Sequence, residues 1–322
     1  MPKTLITVVG PTAIGKTALS IKLAQHYNTE IVSADSRQFF KEMKIGTAVP
    51  DEDELAAARH HFIQHISIQD DYNVGIFEQE AIHKLDKLFK EHATVILVGG
   101  SGLYVNAVLY GLDDFPEVKA GVREELSRKL ENEGLEPLRQ MLKNLDPEHY
   151  KRVDLDNPQR VVRALEVCVS SGMPYSSFLA KNMVKRDFDF VQVGLTAKRE
   201  LIYDRINRRV DLMMQHGLEA EAKKLYSQRN LNALQTVGYR ELFAYFDHKI
   251  SRAEAIEEIK KNTRRFAKRQ LTWYRKDDSI HWFDHQCPVD EIVDVIREEA
   301  TEDFLQMAGA GKDREILMKS SW

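Results

Sequence analysis

Short apolar runs that end in glycine or a polar residue alternate with amphipathic stretches in the first third of the chain. Residues 4–10 form a β-rich run that ends in glycine, and residues 18–27 repeat apolar positions at helical spacing. Further buried-strand patterns cover residues 30–34 and 93–98. Because strands that alternate with helices form parallel sheets, the pattern predicts an α/β fold with a parallel sheet.

Helical patterns replace the strands between residues 114 and 186. One of them runs through PQRVVRALEVCVSS and closes on Gly172, a residue typical of a helix C-terminus. The strand pattern resumes at residues 188–196. We therefore predict a helical insertion domain, 114–186, within a core made of 1–113 and 187–322.

The chain after the insertion is mostly amphipathic. One long helix is predicted over residues 202–228, with further helices near 237–247, 252–276 and 289–307. A short strand candidate covers residues 280–283, and the last fifteen residues are expected to be loosely ordered.

Composition narrows the class of protein only slightly. The chain of 322 residues has a net charge of −4, which by itself gives no sign of a polyanionic partner. Its two cysteines, Cys168 and Cys287, lack metal-ligand spacing, and the N-terminal apolar run is too short to span a bilayer. We expect a cytoplasmic protein in a reducing compartment.

Residues 10–17 match the phosphate-binding pattern G-x-x-x-x-G-K-[ST] and lie between a predicted strand and a predicted helix. In such a loop, backbone N–H groups and a helix N-terminus point at an anion, the lysine adds a charge and the final hydroxyl can bind Mg²⁺. The predicted phosphate-binding residues are Gly10, Pro11, Thr12, Ala13, Ile14, Gly15, Lys16 and Thr17.

Asp35 follows the strand candidate EIVSA and should lie at the same carboxyl edge of the sheet as the loop. It is a candidate general base, although an Asp-Ser pair also commonly caps a turn. The strand over 93–98 ends in glycines rather than in the acidic residue that a nucleotide-hydrolysing enzyme usually places there.

Positive charge is concentrated in two places. Arg205 and Arg209 lie four residues apart on a predicted helix, where they either face the sheet edge and clamp a diphosphate or pair with Asp204, Asp211 or solvent. Residues 260–276 hold eight Lys or Arg, no acid and three interspersed aromatic residues, which favours either an RNA-binding surface or a solvated helix face.

Eight segments in order along nearly the whole chain resemble the tRNA dimethylallyltransferase family. They are GPTAIGKT, ADSRQFFKEMKIGTAVP, RHHFI, VGGSGLYVNAVLYGL, NPQRVVRALEV, RINRRVDLM, TVGYREL and TRRFAKRQLTWYRK. The resemblance implies a P-loop NTPase-like core with C-terminal tRNA-binding helices. It also implies that the insertion contacts the anticodon stem-loop.

The resemblance further implies transfer of a dimethylallyl group from dimethylallyl diphosphate to N6 of adenosine 37 in tRNAs that read codons starting with U. Asp35 would accept the N6 proton, Arg209 and Thr17 would act with Lys16 on the diphosphate, and Mg²⁺, bound by Thr17, would assist its departure. We expect a monomer that takes tRNA and dimethylallyl diphosphate, with no membrane partner.

The predicted tRNA contacts come from three parts of the chain. In the core they are Asp35, Ser36, Arg37, Gln38 and Ser101; in the insertion they are Arg123, Gln159, Arg160, Val161, Val162, Arg163 and Ala164; in the basic segment they are Arg264, Arg265, Lys268 and Arg269. Ser101 stands where the family more often has threonine, which leaves a hydroxyl in place.

Three other classes of function share parts of this pattern. A small-molecule kinase would use the same loop to consume ATP. A prenyltransferase that acts on free adenine nucleotides would share the core but have little use for the basic segment. A non-catalytic tRNA-binding protein would not depend on Asp35.

Overall fold

The computed structural model describes residues 3–179 and 184–309. The chain divides into two compact units, one formed by Met1–Leu109 with Arg186–Trp322 and the other by Tyr110–Lys185. The loose order expected of the chain end falls mainly on residues 310–322, which lie outside the described residues.

All six strands of the described sheet run parallel, in the order β3-β2-β4-β1-β5-β6. The predicted α/β fold with a parallel sheet is confirmed. The strands are β1 (Thr4–Val9), β2 (Ile31–Ser33), β3 (His60–His61), β4 (Thr94–Val98), β5 (Asp189–Thr196) and β6 (Ile280–Asp284). The sequence did not indicate β3, because two histidines carry no apolar alternation that could be recognised.

The strand register determines which loops meet. Val8 of β1 pairs with Val98 of β4 and with Val193 of β5, and Ser33 of β2 also pairs with Val98. β1, β2 and β4 therefore end within one residue of the same level, and β5 continues to Thr196. The loops after β1, β2 and β4 all leave from this carboxyl edge, where ligands bind in open α/β sheets.

Helices account for most of the remaining described chain. In chain order they are α1 (Lys16–His26), α2 (Glu52–Ala57), α3 (Val74–Leu88), α4 (Gly102–Tyr110), α5 (Val122–Glu133), α6 (Glu136–Leu145), α7 (Pro147–Tyr150), α8 (Pro158–Ser171), α9 (Arg199–Gln215), α10 (Leu218–Leu225), α11 (Tyr239–Phe246), α12 (Arg252–Tyr274) and α13 (Val289–Gly309). No helix in the described ranges is long and apolar enough to cross a membrane.

The prediction of one long helix over 202–228 is wrong. The structure ends α9 at Gln215 and begins α10 at Leu218, because Gly217 adopts φ 100°, a left-handed conformation that interrupts the helix. The change of direction allows α10 to pack Leu218 and Ala222 into a core shared with α11 and α12.

The helical unit 110–185 has a core of its own, made by α5, α6 and α8. The side chain of Asn157 accepts hydrogen bonds from the first N–H groups of α8, and Gly172, at φ 74°, closes the helix with an N–H bond to the carbonyl of Cys168. The C-terminus predicted at Gly172 is thus confirmed, and α8 has defined ends on which its polar side chains are displayed.

Candidate active site

The loop between β1 and α1 packs tightly against the neighbouring strand. Gly10 adopts φ 138°, and a Cβ at this position would lie 2.5 Å from the carbonyl oxygen of Leu195 in β5. Pro11, Ala13 and Ile14 are buried. Their side chains therefore hold the loop, and any phosphate contact here comes from backbone N–H groups, of which Pro11 has none.

Lys16 is the first residue of α1 and folds back over the loop. Its Nζ donates hydrogen bonds to the carbonyl oxygens of Pro11, at 2.9 Å, and Gly10, at 3.1 Å. Desolvation lowers the pKa of Lys16 to about 8; the charge of Asp35 raises this pKa and that of Arg209 lowers it further. The ammonium is thus costly to keep charged and would gain from an anionic ligand.

Asp35 lies two residues beyond β2, and its Oδ1 accepts a hydrogen bond from the N–H of Arg37 at 3.2 Å. The turn-capping alternative is therefore true of this side chain, and it does not exclude a role as base. Burial raises the pKa of Asp35, although the positive charges of Lys16, Arg37 and Arg209 act in the opposite direction. A carboxylate with a raised pKa accepts a proton more readily.

Ser36 and Ser101 connect the loop after β2 to the loop after β4. Their hydroxyl oxygens lie 3.1 Å apart, and the N–H of Ser36 donates to Ser101 Oγ at 3.3 Å. The loop after β4 is also held by α12, because the buried phenol of Tyr274 donates a hydrogen bond to the carbonyl of Gly99 at 3.3 Å. Burial and then the charge of Asp35 raise the pKa of Tyr274, so this phenol stays protonated beside the carboxylate.

The chain after Asp35 is held in place by hydrogen bonds within its own loop and to Glu221 of α10. Gln38 Nε2 donates to the carbonyls of Ala48, at 2.8 Å, and Thr47, at 3.3 Å. The carboxylate of Glu221 binds the preceding turn, accepting the hydroxyl of Tyr239 at 2.6 Å and three consecutive backbone N–H groups, those of Lys44, Ile45 and Gly46. The amide of Gln38 therefore donates both of its hydrogen bonds to a rigid loop, and this fixes the position of the Gln38 side chain.

The two arginines of α9 face the phosphate-binding loop. Arg205 Nη2 lies 3.9 Å from the position that a Cβ on Gly15 would occupy. Arg209 is exposed, and its positive charge lowers the pKa of both Lys16 and Asp35. Desolvation and the charge of Arg205 lower the pKa of Arg209.

The acids proposed as alternative partners of these arginines are engaged elsewhere. Asp204 pairs with Arg208 at 3.0 Å, and Asp211 pairs with Lys260 at 2.9 Å. The orientation toward the sheet edge is therefore favoured for Arg205 and Arg209.

Thr17 is the one predicted metal ligand, and it lies half-buried in the first turn of α1. No cluster of three or more His, Cys, Asp or Glu in the described part of the chain could hold a metal ion. The hydroxyl is a hard oxygen donor that suits Mg²⁺, which commonly keeps several waters and binds through substrate phosphates. A Mg²⁺ ion therefore fits here as a partner of a bound diphosphate.

Helix α12 carries the basic segment, and its exposed face is narrower than the sequence suggests. Arg265, Lys268 and Arg269 are exposed beside Phe266 and Trp273. The other predicted contact, Arg264, instead faces α9. It donates to Asn207 at 2.7 Å and lies over the ring of Tyr203, which leaves its charge less available to RNA.

The predicted RNA contacts in the 110–185 unit lie on α5 and α8 and differ in exposure. Gln159 and Arg160 are exposed at its N-terminus, and Arg163 and Arg123 both meet the buried carboxylate of Glu166, at 3.3 and 2.7 Å. The remaining three predicted contacts, Val161, Val162 and Ala164, are buried in the core of the unit. These side chains face α5 and α6, and RNA contact at the three positions stays a prediction that would need the exposed residues or the backbone of the segment.

Sequence reasoning missed Gln270 and Glu221, and it counted Tyr274 among the aromatic residues of a possible RNA-binding surface although its side chain is buried. All three are polar residues on the inner faces of helices. The sequence offered one signal for two of them, their helical spacing. Gln270 and Tyr274 continue the stripe of buried positions formed by Ala255, Ile259 and Ala267 of α12. A polar residue in such a stripe needs a buried partner.

The fold and the site together define a P-loop-containing α/β protein in which a carboxylate stands beside the phosphate-binding loop. Comparison with known proteins specifies the family. The family model described as IPP transferase matches residues 38–277. The chain belongs to the IPP transferase family.

Relatives of known name agree with this assignment. The chain is 60% identical over 296 residues to the tRNA dimethylallyltransferase of Christiangramia forsetii, covering 92% of this chain and 98% of that protein. It is 57% identical over 302 residues to the enzyme of the same name from Flavobacterium johnsoniae, with the same coverage of 92% and 98%.

Solved structures of similar fold span bacteria and eukaryotes. The full-length tRNA isopentenylpyrophosphate transferase of Bacillus halodurans is 35% identical, with a TM-score of 0.68 and coverage of 95% of this chain and 98% of that one. A eukaryotic dimethylallyltransferase acting on tRNA is 25% identical, with a TM-score of 0.76 and coverage of 97% and 82%.

The lowered pKa of Lys16 predicts how stability changes with pH. The folded protein loses the Lys16 proton near pH 8, whereas the unfolded chain keeps it up to the ordinary value of 10.5. Between these values the unfolded state binds more protons, so this residue makes the wild-type fold more stable as pH rises. Relative to Lys16→Met, the ligand-free wild type should gain unfolding free energy between neutral pH and about pH 10. Urea unfolding of both proteins measures this, and a difference that does not change with pH would contradict the shift.

Proposed function

We propose that this protein transfers a dimethylallyl group from dimethylallyl diphosphate to N6 of adenosine 37 in tRNAs that read codons starting with U. Membership of the IPP transferase family supports the prenyl transfer, and the relatives named above act on tRNA. The observation that carries the proposal is the meeting of Asp35, Lys16 and Arg209 at one sheet edge, where their charges act on one another. A base and a diphosphate site are thus adjacent.

The reaction exchanges one bond for another and moves one proton. The bond between C1 of the dimethylallyl group and the diphosphate oxygen breaks, and its electron pair leaves with the diphosphate. N6 of adenosine forms the new bond to C1, and its proton passes to the carboxylate of Asp35. The raised pKa of Asp35 favours this transfer.

The leaving diphosphate gains negative charge as the bond breaks, and the loop side of the site is built to receive it. Lys16, Arg205 and Arg209 surround the N-terminus of α1 with positive charge. Preorganised donors of this kind stabilise developing charge more effectively than water does. Mg²⁺, held by Thr17 and the diphosphate, would supply further positive charge when bound.

The tRNA would be bound by surfaces that read shape and phosphate charge. The exposed face of α12 combines Arg265, Lys268 and Arg269 with Phe266 and Trp273, a mixture suited to phosphates and unstacked bases. Because N6 lies inside the base stack of a folded loop, the adenosine must be flipped out to reach Asp35. Gln159 and Arg160 supply exposed contacts on α8. The protein would act as a monomer.

The alternative functions fit the site less well. For a kinase, β4 is followed by Gly99 and Gly100 rather than by an acidic residue that would bind the metal of a nucleotide. For an enzyme of free adenine nucleotides, the basic aromatic face of α12 has no use. For a non-catalytic RNA-binding protein, desolvation of Asp35 and Lys16 together would be a cost without a benefit.

Replacing the base tests the chemical step. Asp35→Asn keeps an oxygen for the Arg37 N–H but cannot accept a proton, so turnover should fall ~10²–10⁴-fold, the usual contribution of a positioned general base. Affinity for tRNA should stay within about twofold of wild type, an amount below 1 kcal/mol. Single-turnover assays with saturating tRNA separate the two effects. Unimpaired turnover would remove Asp35 from the mechanism.

Removing charge from α12 tests the RNA surface. The double variant Lys268→Ala and Arg269→Ala should bind tRNA more weakly, and the slope of log affinity against log salt should become shallower by about two. Pyrophosphate affinity should not change. The matched control removes two exposed lysines, Lys87 and Lys90, which lie just before β4 at the opposite edge of the sheet. Equal salt slopes for the two variants would show that the exposed face of α12 is solvated and does not bind RNA.

A further inference from the structure

Gln270 is a buried polar residue that connects two parts of the site. It lies on α12, and only 6% of its surface is exposed. Its Oε1 accepts a hydrogen bond from the N–H of Thr12 at 2.8 Å, and its Nε2 donates to the carbonyl of Gly100 at 2.9 Å. One side chain therefore spans from the phosphate-binding loop to the turn after β4.

The Gln270 amide fits tightly against the backbone of Gly100. A Cβ on Gly100 would lie 2.3 Å from Gln270 Nε2 and 3.6 Å from Lys16 Nζ, so the amide occupies the space that a side chain there would need. The two partners also fix its orientation, because exchanging the oxygen and nitrogen would set donor against donor and acceptor against acceptor. The amide thus has a single well-bonded arrangement.

The phosphate-binding loop needs such support because part of its backbone is strained. Ala13, directly after Thr12, adopts φ 64°, a left-handed conformation that is unfavourable for a residue with a Cβ. Conformations of this kind persist only where the surroundings impose them. The hydrogen bond from the N–H of Thr12 to Gln270 fixes the Pro11–Thr12 peptide, one residue before the strained Ala13.

We infer that Gln270 is a positioning residue for the diphosphate site, which it supports without touching the ligand. It holds Thr12 and Ala13 in the conformation that directs the loop N–H groups at an anion. The inference rests on the proposed function only in that the ligand contains a diphosphate. Helix α12 then has two separate tasks: its outer face meets RNA, and its inner face sets the shape of the phosphate-binding loop.

The test replaces Gln270 with methionine, which is similar in size and makes neither hydrogen bond. The probe is inorganic pyrophosphate with Mg²⁺, titrated calorimetrically into the full-length protein. Gln270→Met should bind pyrophosphate about tenfold more weakly, the loss expected from one or two net hydrogen bonds. Its affinity for tRNA should match wild type, the reverse of the expectation for Lys268→Ala with Arg269→Ala.

Gln192→Met is the matched control. Gln192 is 2% exposed, and its Nε2 donates to Asp277 at 2.9 Å and to Ser279 at 2.8 Å, so this variant also loses buried hydrogen bonds but outside the loop. Its pyrophosphate affinity should equal that of wild type. An unchanged affinity in Gln270→Met, or equal losses in the two glutamine variants, would overturn the positioning role.

Two further measurements cover the cases in which Gln270→Met does not fold or the wild-type protein does not bind pyrophosphate. If Gln270→Met does not fold, Gln270→Asn takes its place, because its shorter amide cannot bridge Thr12 and Gly100 and should weaken pyrophosphate binding in the same way. Wild-type affinity in Gln270→Asn would then refute the inference. Wild-type protein that binds no pyrophosphate would instead refute the diphosphate site of the proposed function.

Discussion

The attraction between Lys16 and Asp35 across one edge of the parallel sheet is the interaction on which the rest of the site depends. Each charge lowers the cost of desolvating the other: Asp35 raises the pKa of Lys16, and Lys16 lowers that of Asp35. Burial works against both charged forms.

Neither loop is held only by contacts within itself. Asp35 is fixed by the N–H of Arg37, the chain beyond it is fixed by the Glu221 carboxylate, and the strained loop around Lys16 is tied to α12 through Gln270. The last two supports come from α10 and α12, which are remote in sequence from both loops. Helices that follow the last central strand therefore contribute as much to the site as the loops that carry its reactive groups.

Sequence patterns predicted the elements of the fold better than the contacts of the site. Buried strands such as β1 and β4 and the glycine-closed end of α8 have local signals, whereas β3, with two histidines, has none. A charge pattern also cannot show which side of a helix faces inward. This explains why Arg264 and Val161, both predicted to meet RNA, face neighbouring helices instead, and why Gln270 and Glu221 were missed.

Mass spectrometry of nucleosides from unmodified tRNA, after incubation with the protein, Mg²⁺ and dimethylallyl diphosphate, tests the central claim most directly. AMP and ATP serve as parallel substrates. A dimethylallyl group on N6 of the adenosine beside the anticodon, with AMP and ATP unchanged, is the expected result. Prenylated AMP would indicate the free-nucleotide enzyme, and ATP turnover without prenylation would indicate a kinase. Unmodified adenosine in every reaction would contradict a prenyltransferase.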